Sequence, residues 1–130
     1  MSNWIIPCNL SFFDVLEWFE HNDFVIWKQR GNYEVGDQVL IYVGDPFSEI
    51  MYLCQVEEVD VEKATIKKNS YACLGDPGIN RKYIKLSLRK KYSRGASYSQ
   101  LKKMGIGSIR TKIHVSDQLF KEICSLSLCN

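Results

Sequence analysis

The chain has 130 residues, 45% of them hydrophobic and 25% charged, proportions that fit one globular domain and exclude a disordered or fibrous chain. Five cysteines, two histidines and no C-x-x-C pair argue against a zinc cluster or a disulfide framework. The net charge of +2 conceals a division: residues 1–80 carry five Lys/Arg against thirteen Asp/Glu, whereas residues 81–113 carry eleven Lys/Arg and no acid.

Asn3-Trp-Ile-Ile-Pro-Cys8 reads as a short buried strand closed by Pro7, which cannot donate to a central ladder. Ser11, three residues before Asp14, resembles a capping box and predicts a helix over about 12–21, with Asp14, Glu17 and Glu20 outward. Phe24–Trp27 is a second short strand, and Gly31 to Asp37 is turn chemistry. Gln38-Val-Leu-Ile-Tyr-Val43 is a continuous apolar run, the pattern of a strand covered on both faces. A further strand is expected over Glu49–Asp60, another over Val59–Lys67, and a loop over 69–80. Tyr83–Leu88 alternates Lys or Ser with apolar residues, so it reads as a strand with one wet, basic face. A short helix over Ser97–Lys103, ended by Gly105, precedes a last strand over Ile106–Val115, and Ser116 caps a terminal helix. The mixed order of five to seven strands and two or three helices predicts an α+β fold, one domain over 1–130, built round a curved sheet or small barrel.

The acid-free stretch 81–113 sets up a positive potential that draws a polyanion, and nucleic acid is the common one. Arg89, Lys90, Lys91, Arg94, Arg110 and Lys112 are its candidate phosphate-binding residues. Trp27-Lys28-Gln29 places an indole beside a cation and an amide: a flat wall for the π-face of an unstacked base and polar groups for its edge. Trp4 and Trp18 read as core, and Gly36-Asp37 as the tight entry that sets the register of the following strand. Gly105-Ile-Gly107 is too short for a phosphate loop. No nucleophile, base and orienting group can be named together, so an enzyme is the weaker class. No metal or cofactor is expected. No apolar run reaches the roughly 20 residues that span a bilayer, and the first residues lack a signal peptide's basic start. A soluble, cytoplasmic protein without a membrane partner is the expectation.

Taken in order, Asn3-Trp-Ile-Ile-Pro-Cys-Asn9, Trp27-Lys-Gln29, Val35-Gly-Asp-Gln-Val-Leu-Ile-Tyr-Val-Gly44 and Ile50-Met-Tyr-Leu-Cys-Gln-Val-Glu-Glu-Val-Asp60 resemble the EVE domain of the PUA-like superfamily, a relative of YTH domains. Ile109-Arg-Thr-Lys-Ile-His-Val115 is similar to that family's late strand. The resemblance implies a PUA-like, partly closed β-barrel flanked by helices. It also implies a pocket at the barrel mouth for one flipped base, often a methylated cytosine or adenine. By position, Trp27 resembles the aromatic wall, Pro7, Cys8 and Asn9 the polar end of the first strand, Lys28 and Gln29 the flanking polar residues, and Tyr42 the neighbouring strand end. The chain departs from the pattern in its Pro-Cys-Asn sequence after the first strand and in the short Arg30-Gly-Asn-Tyr-Glu34 connection. Domains of this kind travel with restriction or other defence systems, so DNA or RNA with modified bases, and a nuclease or other effector protein, are the implied partners. Two alternatives stand beside this reading: a small PUA-like enzyme acting on a modified nucleoside through Lys28 or Cys8, and a protein-binding subunit whose basic face meets an acidic partner.

Overall fold

A computed structural model describes residues 1–62 and 82–129. In chain order they form β1 (Asn3–Cys8), α1 (Val15–His21), β2 (Phe24–Lys28), β3 (Gln38–Val43), β4 (Glu49–Val61), β5 (Tyr83–Arg94), α2 (Tyr98–Lys103), β6 (Ile113–Val115), α3 (Asp117–Ser125) and β7 (Leu128–Cys129). The strand expected over Val59–Lys67 is present as far as Val61, as the end of β4; the rest of it and the 69–80 loop lie outside the described residues. None of the described helices is long and apolar enough to cross a membrane.

The strands make one mixed sheet in the order β2-β5-β4-β3-β1-β6, with β7 added to β5. Among the described strands only β1 and β3 run parallel, Asn3 beside Gln38 through Cys8 beside Val43. The two apolar faces of β3 explain its central place. Val39, Ile41 and Val43 pack on the α1 side with Val15, Phe19, Val25 and Ile84, and Leu40 and Tyr42 pack on the other side with Leu101, Val115 and Ile123 from α2, β6 and α3. A strand buried on both faces has no polar side to alternate with, which accounts for its unbroken apolar run.

Register slips between Ile41 and Tyr42 in β3, and at three places along β4 and β5, so the ladder carries several irregularities that increase twist and bend. The sheet curls, yet the ring expected of a barrel is not completed among the described residues. β2 pairs only with β5 and β6 only with β1, which leaves those two strands as facing edges. The α+β class therefore stands, with seven strands and three helices among the described residues, while closure of the barrel is not seen among them.

Two element boundaries differ from expectation for identifiable reasons. α1 starts at Val15 rather than near 12, and its cap is Asp14, whose carboxylate accepts from Glu17 N at 3.1 Å. Asn9 captures the preceding residues first: its carbonyl accepts from Phe12 N (3.0 Å) and Phe13 N (3.1 Å), and its side chain accepts from Ser11 N (2.9 Å). Those donors are consumed in a turn and Ser11 caps nothing. The last long strand is likewise cut to Ile113–Val115, because only three residues, Asn3, Trp4 and Ile5, face it on β1.

Asp37 ties the start of the sheet together. Its carboxylate, 1% exposed, accepts from Ser2 N (2.8 Å), Trp4 Nε1 (3.0 Å) and Glu34 N (3.0 Å). Gly36 N donates to Val56 O and Val56 N to Asp37 O, each at 2.9 Å, so the Gly-Asp pair sets the β3–β4 register. Gly36 takes φ +98°, the left-handed region that favours glycine.

Candidate functional site

A cavity of about 820 Å³ opens where the two edges of the sheet approach one another. The C-terminal end of β1 supplies Ile6, Pro7, Cys8 and Asn9, and the turn that follows supplies Ser11 and Phe12. Trp27 and Lys28 come from the end of β2, with Arg30 and Tyr33 from the connection after it. Tyr42, Gly44 and Asp45 come from the end of β3, and the segment before β6 adds Ile109, Arg110, Thr111 and Lys112. Four stretches of the sequence meet here because β1 lies between β3 and β6 while β2 curls round from the far end of the sheet.

Trp27 is half-buried and held edge-on by Phe13, with ring centroids 6.1 Å apart at 84°. Phe13 in turn leans on Trp18 at 6.3 Å, and the Trp18 indole donates to Phe24 O at 2.5 Å. The wall is thus fixed from behind while its front lines the cavity. Trp4 and Trp18 pack against the core, as their sequence positions suggested.

Lys112 is the most constrained cation of the site. Its ammonium donates to Asn32 O at 2.6 Å and Arg30 O at 3.1 Å, and lies 3.9 Å above the Trp4 ring and 3.8 Å above the Tyr33 ring. Burial lowers its pKa from the ordinary lysine value, and the charge of Asp37 opposes that shift. The group pins the Arg30–Tyr33 connection to the segment before β6, so the cation expected to take a phosphate is engaged with carbonyls and rings of its own chain. Burial, reinforced by Asp37, raises the Tyr33 phenol above its usual range, so it stays a neutral hydroxyl. Cys8 lies at the cavity wall with its thiol 3.5 Å from Phe13 O. Burial, with Asp14 adding, pushes its pKa up to about 12 against a lowering by the backbone at Val15. At neutral pH it is a thiol, not the thiolate a cysteine nucleophile requires.

Of the pocket residues named from sequence, Pro7, Cys8, Asn9, Trp27, Lys28 and Tyr42 share this cavity and Gln29 does not. The Gln29 amide is committed elsewhere: Nε2 donates to Asp60 Oδ1 (2.9 Å) and Oε1 accepts from Asp60 N (2.8 Å). Of the phosphate candidates, Arg110 and Lys112 line the cavity. Arg89, Lys90, Lys91 and Arg94 are spread along β5 outside it, and Arg89 donates to the Gln55 side chain. Sequence reasoning missed Phe12, Arg30, Tyr33 and Asp45. Phe12 was hidden by its assignment to a helix, and Arg30 stands one residue beyond the triplet that was singled out. Among the described residues no three His, Cys, Asp or Glu side chains converge in a way that could hold a metal ion.

No protein-family model matches this sequence, and a search of curated proteins gave no match. Solved structures do resemble it. An ASCH protein of Zymomonas mobilis is 14% identical, with 96% of this chain and 95% of that one covered and a TM-score of 0.69. Rpa0253 of Rhodopseudomonas palustris is 12% identical over 97% and 92% of the two chains, with a TM-score of 0.68. A hypothetical protein of Leishmania major is 14% identical over 96% and 93%, again at 0.68. Identities this low speak for the fold alone, a fold this chain shares with the ASCH protein. One of these neighbours carries the ASCH name, and no family match supports EVE in particular.

Proposed function

We propose that the chain is a nucleic-acid-binding module that takes one unstacked base into the cavity between β2 and β6, a methylated cytosine or adenine being the preferred guest. The observation that carries this reading is the make-up of the cavity. A fixed indole stands opposite the polar end of β1, and Lys28, Arg30 and Arg110 outnumber the single carboxylate of Asp45 in the lining. An aromatic plane with polar groups in reach suits the face and edge of a base, and cations around the entrance suit the phosphates on either side. Taking a base out of its stack costs a few kcal/mol, which contacts to the backbone and the indole must offset. Trp27 serves as the platform, Asn9 and Lys28 face the base edge, and Arg30 and Arg110 hold phosphate. Arg89, Lys90, Lys91 and Arg94 on β5 give the strand a second line of positive charge along its path. DNA or RNA is the partner class, and an effector such as a nuclease would act beside the bound site.

The test is a panel of short oligonucleotides, each with one modified base, compared by affinity at a single salt concentration. Trp27→Ala is expected to lose about tenfold or more in affinity and to flatten the preference among bases. Unchanged affinity and preference in that variant would overturn the assignment.

A further inference from the structure

Phe12 is 70% exposed, although it stands at the edge of the cavity just described. It is not a loosely held side chain on a long loop. Asn9 fixes the turn beneath it through three hydrogen bonds, to Ser11 N, Phe12 N and Phe13 N. The next residue, Phe13, is wedged against Trp18 and Trp27. Backbone bonding thus turns one ring of the Phe-Phe pair inward to support the platform and leaves the other ring in water. Covering a phenylalanine ring gains free energy, and this ring stands at the cavity rim, where a flat partner entering the cavity could cover it.

A protein partner would need a broader apolar patch than one ring. The side chains that share the cavity lining with Phe12 include Lys28, Arg30 and Arg110, which suit a polyanion rather than an apolar protein surface. We infer that Phe12 stacks on the base next to the one held in the cavity, in the same strand, and fills the gap that the extruded base leaves. Apolar wedges at base steps act in this way in proteins that unstack nucleic acid. The inference rests on the proposed base-binding role of the cavity and assigns Phe12 as the residue that holds the strand open beside it.

A double-mutant cycle tests it. The probe is a short single strand with 5-methylcytosine or N6-methyladenine at its centre, whichever the wild type holds more tightly. It is compared with strands in which the base on the 5′ or the 3′ side is replaced by an abasic residue. Phe12→Ala is expected to weaken binding of the intact strand roughly tenfold. Removing the neighbouring base on one side is expected to weaken the wild type by a similar factor and the variant by almost nothing, since the two partners of one contact do not add. Phe12→Trp should restore the wild-type behaviour. Losses that multiply, or an intact-strand affinity unaffected by Phe12→Ala, would overturn the wedge. If Trp27→Ala still loses affinity in that case, the cavity reading survives alone; if the wild type binds neither strand, both fall together.

Discussion

Single side chains do most of the positioning in this molecule, and Asp37 is the clearest case. It sits under the start of the sheet with three N–H donors directed at its two oxygens. Burial by itself would raise its pKa, but the hydrogen bonds from Ser2, Trp4 and Glu34, with the N-terminal ammonium, hold it below the usual carboxylate value. A carboxylate whose folded pKa is depressed contributes its full stability above its unfolded pKa, near 4, and loses that contribution as pH falls through the folded value. Asp37→Asn is expected to cost about 2 kcal/mol at neutral pH, because an amide cannot accept from all three donors. The gap between variant and wild type should narrow as denaturation is repeated below pH 4. A gap that stays constant with pH would show that the charge of Asp37 plays no part. Lys112 is a second such residue. Its bonds to Arg30 O and Asn32 O join the two margins of the cavity, so it shapes the site from within instead of reaching outward for phosphate.

At the scale of elements, the most exacting join lies where β5 leads into α2. A Cβ built on Gly95 would stand 1.4 Å from Ile50 O, an approach no side chain can share, and Ile50 N donates to Ala96 O at 2.9 Å across the same contact. Gly95→Ala is therefore expected to destabilise by about 3 kcal/mol or more, since backbone and not a flexible side chain would have to move; chemical denaturation measures it. The local pattern of the chain reveals some elements and conceals others. β3 was legible from its apolar run, and α2 from Ser97, whose hydroxyl accepts from Gln100 N (3.2 Å) while the Gln100 side chain accepts from Ser97 N (2.9 Å). Both signals lie within a few residues of what they specify. The start of α1 was not legible, because a competing turn at Asn9 took the same donors that a Ser11 cap would have organised. Nor was the route of residues 109–112, which depends on a lysine finding carbonyls some 80 positions earlier in the chain. The candidate site followed the same division. The Trp27-Lys28 wall could be named from adjacent residues and the Pro7–Asn9 strand end from the family resemblance, whereas the places of Phe12, Tyr33 and Asp45 in the lining are set by the curl of the sheet.

For the whole molecule, the separation of charge anticipated in the sequence takes a more specific form. Among the described residues of the basic stretch, Arg110 and Lys112 stand at the cavity, Arg89, Lys90, Lys91 and Arg94 run along β5, Lys102 and Lys103 end α2, and Lys82 and Lys85 pair with Glu62 and Glu57 at 2.9 and 3.7 Å. If the cavity margin holds phosphate as proposed, affinity for an oligonucleotide should fall linearly with salt on a logarithmic plot. Arg110→Ala should reduce the slope by about 0.7 for a single strand and about 0.9 for duplex DNA. Salt titration of Arg94→Ala reports in the same way whether the row on β5 takes part. A slope unaltered by Arg110→Ala would remove that residue from the phosphate contacts.

The position of β1 has a temporal side as well. β1 is hydrogen-bonded to β3 on one side and to β6, more than a hundred residues later, on the other. Pairings this distant are slow to form, and the wall carrying Arg110 has no place to dock until residue 115 has been made. The hollow therefore cannot form in a nascent chain that stops short of that residue, and such a chain would lack the proposed place for a base.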